Sequence, residues 1–509
     1  MILDSTTVDR DVDLAVDVCV AGSGAGGAVV AWELANAGRS VVVVEEGAYH
    51  SSRDFSQRED EMYSRLYQEA GVRVATDSTV LISQGRALGG STVTSFCVCA
   101  RPPRAILDSW RDTLAIPGVG AFEMSPHFER IEQELQVVEL TAEQVNQNNR
   151  IVQAGAERLG FHHLRVAHNR VDCVGCGFCA LGCAYDRKTD ALTTHLRWAS
   201  QRGAIIVPDC QVESITIDNA RAVGVSGTFL RTAGGAAKLT VRAKVVVLAA
   251  GALGSPQVWL RSRLPNANQQ VGRNLHLHPQ AVVAGVFADE VASWRGIPQS
   301  VVVDEFLNPH DPAEGGFLLA PITVHPVALA SMLPGFGADH RGLMESYPRL
   351  SLAAVMLRDR SSGSVELDSS GRPAVSYQLN DDDRAVLIEG LRRLADVYFA
   401  AGAERVVLPF TDLVELTRRG DYRGLDERSA RANDPMLWSL HPQGSMRMGS
   451  NQKRSVVNPF GEAHDIRALF VADASIFPTA IAVPPQLSVM AFARRTARYI
   501  ASNARRYFG

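Results

Sequence analysis

The chain has 509 residues, 51 of them basic and 55 acidic, for a formal net charge of −4, with 46% hydrophobic and 21% charged residues. That length predicts two or three structural units, and the near-balanced charge argues against nucleic acid or an anionic membrane as partner. No stretch reaches the roughly 18 apolar residues of a spanning helix, and the acidic start Met1–Asp11 lacks the layout of a secretory leader, so a cytoplasmic location with reduced thiols is expected.

Residues 16–21, Val-Asp-Val-Cys-Val-Ala, read as a buried first strand. Gly22-Ser-Gly24-Ala25-Gly-Gly27 follows, then a helical stretch from Ala28 to Ala37 closed by Gly38, then the second strand Ser40–Val44 ending in Glu45-Glu46. This strand–turn–helix–strand context makes G-x-G-x-x-G a dinucleotide signature. Gly22 permits the tight turn, Gly24 the approach of a pyrophosphate, Gly27 the packing of helix on strand, and the helix start at Ala25 faces the negative charge. Glu45 would accept the ribose hydroxyls, with Glu46 the alternative in register.

Further along, Cys173-x2-Cys176-x2-Cys179-x3-Cys183 places four of the eight cysteines in eleven residues. The spacing is that of a bacterial ferredoxin run, though Ala184 stands where proline usually follows. Four readings stay open: an iron–sulfur cluster, a zinc knuckle, a metal-free packed loop, and disulfides. If Cys183 does not close a site, Cys97, Cys99 or Cys210 are the substitutes. A cluster would act as a one-electron relay, and the loop tilts the expectation toward a dehydrogenase that passes its electrons to a quinone or protein acceptor, with an oxidase using dioxygen as the alternative.

Three more segments complete the pattern: Gly85-Arg86-Ala-Leu-Gly89-Gly90-Ser91-Thr92; the apolar run Val246–Ala250 into Gly251-Ala-Leu-Gly-Ser-Pro-Gln257; and His441-Pro-Gln-Gly-Ser-Met-Arg-Met-Gly449 followed by Leu469-Phe-Val-Ala-Asp473-Ala474. With these residues the chain resembles the glucose–methanol–choline (GMC) oxidoreductases, FAD enzymes that oxidise alcohols. The resemblance runs from Val18 to about Ile500 and is nearest the cholesterol-oxidase and long-chain-alcohol-oxidase branches, which share Val271-Gly-Arg-Asn-Leu-His-Leu-His-Pro279 and a cysteine-rich loop.

The resemblance implies an α/β fold (α+β overall): a discontinuous Rossmann-like FAD-binding domain (1–105, 191–280 and 441–509), a cap or insert carrying the cysteine loop (106–190), and a substrate domain with an antiparallel sheet (281–440). Short alternating runs at Ala281–Phe287, Leu350–Met356 and Ser364–Asp368 read as strands of a solvated sheet, and Asp381–Ala401 as an amphipathic helix.

Carried over position by position, Arg86, Gly89, Gly90, Ser91 and Thr92 match the loop along the flavin and pyrophosphate. Val212 matches the residue whose backbone meets adenine, Ala250 and Gly251 the ADP-side turn, and Asp473 and Ala474 the ribityl–phosphate contacts. Pro485 and Gln486 open the last helix, whose N-terminus would face the flavin pyrimidine ring. The histidine of the covalent-FAD members is missing from Val93-Thr-Ser-Phe-Cys97, so FAD is expected to be bound non-covalently.

His441 sits where the family places its active-site histidine, the base or hydrogen-bond partner for the alcohol, with hydride transfer to flavin N5. The family's second group, His or Asn, falls at Pro484, which offers no donor. Gln486 or Gln443 would then supply the contact, or His441 would work alone, or the reaction would differ: a desaturase, lyase or isomerase of natural-product tailoring. The histidines at 276 and 278 read as structural. The substrate is expected to be fairly apolar, because Phe317–Pro321 and Val327–Pro334 suit a hydrophobic pocket.

Overall fold

The first strand, Val12–Ala21, is buried over its last four residues and runs parallel to Val41–Val44 on one side and Lys238–Leu248 on the other. Ile205–Val207 adds a parallel strand beyond Val41–Val44. Lys238–Leu248 shares its far edge between two partners. Its first half pairs antiparallel with Arg221–Phe229, and its end pairs parallel with Leu469–Val471. Cys210–Asp218 closes the sheet through a hairpin whose tip, Asn219-Ala220, has positive φ at both residues, as a primed two-residue turn requires. These β-branched runs are apolar at nearly every position because helices cover them. The computed structural model describes residues 1–6, 8–76, 78–230, 237–308, 314–426 and 434–509.

The glycine turn leads into helix Ala25–Asn36, which packs on the last long helix, Gln486–Ser502. A Cβ on the motif glycine Gly27 would lie 1.9 Å from Gly22 O, so helix and strand pack closely there as expected, and an equally close contact falls at a glycine the motif does not single out. A Cβ on Gly26 would lie 1.7 Å from the Ala472 carbonyl oxygen, whereas one on Gly24 would meet nothing nearer than Gly90 Cα at 3.9 Å.

Among the described residues the second sheet has ten strands and is mainly antiparallel. Gln280–Val286 and Leu350–Arg358 form its centre, Gly316–Pro321 and Val301–Val303 follow on one side, and Leu437–Ser439 joins on the other, parallel to Val80–Ile82. It also draws in His163–Arg165 and Arg73–Val74. The expected solvated face is not found at its centre. All nine residues of Leu350–Arg358 are buried, because Asp381–Ala401 and Gln147–Leu159 cover one face and Pro326–Met332 and Ala338–Glu345 the other. Asp381–Ala401 is helical over its expected span. Asn380 caps it by accepting the Asp383 N–H at 2.7 Å, three aspartates occupy its first turn, and Gly402 ends it in the left-handed region, all favourable to the helix ends.

Candidate active site

A cleft of about 520 Å³ runs between the two sheets, from the first glycine turn to His441. The N-terminus of Ala25–Asn36 opens onto it without a side-chain cap, leaving N–H groups and a partial positive charge for a phosphate. Ser23 ties three predicted segments together. Its N–H and hydroxyl donate to Glu45 Oε2 at 2.9 and 2.7 Å, and its oxygen accepts the Gly89 N–H at 2.9 Å. Glu45 Oε1 accepts from the Gly47 N–H at 2.8 Å. Burial pushes the Glu45 carboxyl up against these bonds. Glu45, expected to accept ribose hydroxyls, lines the cleft and also braces the glycine turn, and its neighbour Glu46, the alternative in register, lines the cleft while paired with Arg86 at 2.9 Å.

Gly89 and Gly90 turn the second loop against the first with positive φ; a Cβ on Gly90 would stand 2.7 Å from Gly24 Cα. Ser91 accepts the Gly85 N–H at 2.9 Å, and Thr92 donates to Gly89 O at 2.6 Å. Val212, Ala250, Gly251 and Ala474 line the same cleft. Asp473, 5% exposed, has its oxygens engaged by the protein: it accepts from the N–H groups of Gly251 and Ser475 at 2.9 and 2.8 Å and from the Ser255 hydroxyl. It thus caps a turn and anchors helix Gly251–Arg261, and burial raises its carboxyl.

At the other end, Pro485 sits at the N-cap of Gln486–Ser502 and offers no side-chain cap. Both polar atoms of the Gln486 side chain are enclosed and lack a partner, which costs about 1–3 kcal/mol per group unless a ligand satisfies them. These orphaned atoms, beside an uncapped helix start, fit a polar cofactor ring. Gln443 is excluded as the missing second group. It is fully buried, with its amide donating to His441 O at 3.2 Å and its carbonyl accepting the Ile481 N–H at 3.2 Å. Pro484 does line the cleft.

His441 lines the cleft, with Nδ1 enclosed and unpartnered. Burial, with His278 alongside, pushes its imidazole down to about 3, so it is neutral at physiological pH. The fully buried His278 stands edge-to-face on it, ring centroids 5.6 Å apart, and accepts the Ala482 N–H at Nε2. Its pKa falls to about 4, again through burial. His276 Nδ1 lies 3.7 Å from Asp359, which also accepts the Tyr377 hydroxyl at 2.8 Å. Neither His276 nor His278 reaches the cleft wall.

The four cysteines of the run, for which metal ligation was one of four open readings, line one small cavity. Among the described residues no group of three or more His, Cys, Asp or Glu stands where it would hold a metal ion, and all eight cysteines are free. Cys173 instead accepts the Gly175 N–H at 3.5 Å and an Arg170 N–H at 3.6 Å, and Cys183 accepts the Arg187 N–H at 3.3 Å. Cys179 is turned to the Cys97 thiol, whose hydrogen bond, with Arg170 and Lys188 nearby, holds it well below the usual thiol range. Lys188, 3% exposed, pins this loop beneath the glycine-rich one by donating to the carbonyls of Val93, Ser95 and Cys179 at 2.7, 2.7 and 3.0 Å.

The apolar wall also differs from expectation. Phe317–Pro321 is a buried strand and Val327–Pro334 lies outside the cleft; Phe96, Val98, Val324, Trp438 and Leu440 line it instead. All five come from loops or strands that no periodicity marks as a pocket: Trp438 and Leu440 are placed by the pairing of Leu437–Ser439 with Val80–Ile82, Val324 by the turn after Gly316–Pro321, and Phe96 and Val98 by the segment after the glycine-rich loop.

A dinucleotide turn feeding a deep cleft that ends on a neutral histidine is the arrangement of a dinucleotide-dependent oxidoreductase. Models of the GMC oxidoreductase family match residues 63–280 and 359–493, and an FAD binding domain model matches 17–58. A GMC-type oxidoreductase of Mycobacterium tuberculosis (strain ATCC 25618 / H37Rv) is 34% identical over 96% of this chain and 76% of its own length. A long-chain-alcohol oxidase of Arabidopsis thaliana is 30% identical over 94% of this chain and 66% of its own. The crystal structure of pyridoxine 4-oxidase from Mesorbium loti superposes with a TM-score of 0.72 at 18% identity, covering 96% of this chain and 99% of that one. The chain belongs to the FAD-dependent GMC oxidoreductase family. No helix among the described residues is long and apolar enough to cross a membrane.

Proposed function

We propose that the protein oxidises the CH–OH group of a fairly apolar alcohol, with FAD bound non-covalently. The observation that carries this is His441: a neutral imidazole at the end of the cleft, its Nδ1 enclosed with no partner among the described residues, in a cleft also lined by Phe96, Val324, Trp438 and Leu440. Bound FAD supplies the acceptor for the carbon-bound hydrogen and its electron pair. The chain's own part is to hold the hydroxyl at His441, as base or hydrogen-bond partner, to keep the carbon end in an apolar wall, and to exclude water. The Gln486 amide and the uncapped helix start would hold the pyrimidine edge of the cofactor, and the Ala25 helix start its phosphates.

The acceptor that recycles the cofactor is dioxygen in this reading, in place of the quinone or protein acceptor expected from the cysteine spacing; the similarity to a plant long-chain-alcohol oxidase supports this. The test is anaerobic mixing of the holoprotein with 1-dodecanol or glucose while the 450 nm flavin band is followed. Bleaching by dodecanol but not glucose, followed by peroxide release on admitting air, is expected. A band unchanged by primary and secondary alcohols alike would overturn the reading.

A further inference from the structure

The chain from Ala480 to Pro485 reaches the end of the cleft outside any helix or strand, yet Ile481 and Ala482 are buried. Their N–H groups therefore need partners from elsewhere, and two side chains supply them. The Gln443 side-chain carbonyl accepts the Ile481 N–H at 3.2 Å, and His278 Nε2 accepts the Ala482 N–H at 3.1 Å. A backbone N–H can only donate, so Nε2 of His278 keeps its lone pair and the neutral ring carries its proton on Nδ1.

Both residues joined by the second bond are strained. φ is +69° at Ala482 and +46° at His278, the left-handed region that residues with a side chain seldom adopt. Such conformations persist where their surroundings over-determine them, and they gather at functional sites. Around His278, Asp359 accepts the N–H groups of Leu277 and His278 at 2.9 and 3.2 Å, and His276 and Gln443 exchange N–H···O bonds at 2.8 and 2.9 Å. Ala482 in turn hangs on His278. Two residues further on, Pro484 and Pro485 line the cleft with φ confined by their rings, and Gln486 opens the last helix with its amide unpartnered. The same His278 ring stands edge-to-face on His441, centroids 5.6 Å apart.

Resting on the reading of this cleft end as the place of flavin and alcohol, we propose that His278 is a positioning residue for both. Its Nε2 lone pair holds Ala482 in the left-handed backbone that brings Pro484, Pro485 and Gln486 to the cleft, and its ring backs His441. One buried side chain outside the cleft thus sets the amide that meets the cofactor against the imidazole that meets the hydroxyl. Supporting groups of this kind fix the geometry of the residues that touch the ligand.

The test titrates apoprotein with FAD, followed by flavin fluorescence, in the full-length chain. His278→Leu, which leaves the Ala482 N–H without an acceptor, should weaken FAD binding about tenfold or more. His278→Gln, whose amide oxygen accepts the same N–H, should stay within about threefold of wild type. Glycine takes the left-handed conformation freely. In an Ala482→Gly background the loss caused by His278→Leu should therefore shrink at least about threefold, a coupling that a mere cavity at position 278 would not give. His278→Leu binding FAD within about threefold of wild type, His278→Gln losing as much as His278→Leu, or equal losses in the two backgrounds would overturn the assignment. If His278→Leu does not fold, a loss of about tenfold in His278→Gln overturns it and retained affinity supports it. With FAD saturating, the limiting rate of anaerobic reduction by 1-dodecanol should also fall in His278→Leu; an unchanged rate would overturn the part assigned through His441. Wild-type protein left unreduced by primary and secondary alcohols would overturn the alcohol reading, and the FAD titrations would still decide the role of His278 toward the cofactor.

Discussion

The hydroxyl of Ser23 donates to the carboxylate of Glu45 at 2.7 Å while accepting the Gly89 N–H. One buried side chain therefore joins the two glycine loops that face the cofactor to the strand end between them. Ser23→Ala removes a hydrogen bond to a charged group, worth about 1.5–3 kcal/mol, and frees the loops. FAD affinity is expected to fall about tenfold or more, measured by titrating apoprotein fluorescence with FAD. An unchanged Kd would mean that the loops hold their shape without this bond.

Gln486 yields a prediction of opposite signs in the two states. Its amide has no partner in the protein, so Gln486→Leu should raise the Tm of the apoprotein while weakening FAD retention in the holoprotein. Thermal scans of both forms, with the FAD content measured after gel filtration, check this. A variant that destabilises both would show that the amide has a protein partner.

The buried histidines make acid stability predictable. The folded-state pKa values of His441 and His278, about 3 and about 4, lie below the ordinary 6.5, so the unfolded chain binds protons that the folded chain does not. Their stabilising contribution is complete above about pH 6.5 and is lost as pH falls toward 4. Urea midpoints measured from pH 8 to 4.5 should decline below 6.5, and less steeply in His278→Gln. Flavin reduction, which needs neutral imidazoles, should show no histidine-type inflection from His441 between pH 6 and 8.

Lys188 satisfies three carbonyls with one buried ammonium. Lys188→Met leaves those acceptors unpaired, at about 1–3 kcal/mol each if water does not reach them. A loss of at least about 3 kcal/mol in urea unfolding, with release of FAD as the Val93–Ser95 segment loosens, is the expected outcome. Retention of FAD at wild-type stability would assign the loop anchoring to Arg170, whose guanidinium donates to Phe96 O at 2.7 Å.

Local chemistry made much of this protein legible in the amino-acid order. The Gly22–Gly27 turn, the strand Val41–Val44 and the helix Asp381–Ala401 are written in short-range patterns, because turn glycines, β-branched runs and a capped amphipathic period act within a few residues of themselves. His441 was legible for a different reason, its place in a motif set that resembles a known family. The cysteine run shows the limit of spacing: it brings four thiols near one another, but ligation depends on where each sulfur points, and among the described residues no three of them stand where they would hold a metal ion. Only the tertiary structure decided that Gln443 is used up inside the loop while Gln486 is left unpaired, that His278 backs His441, and that His325 lines the same cleft from the start of the helix Pro326–Met332, more than a hundred residues away in the chain. These relationships depend on sheet register and on competition among buried donors and acceptors, both settled only when distant segments pack together.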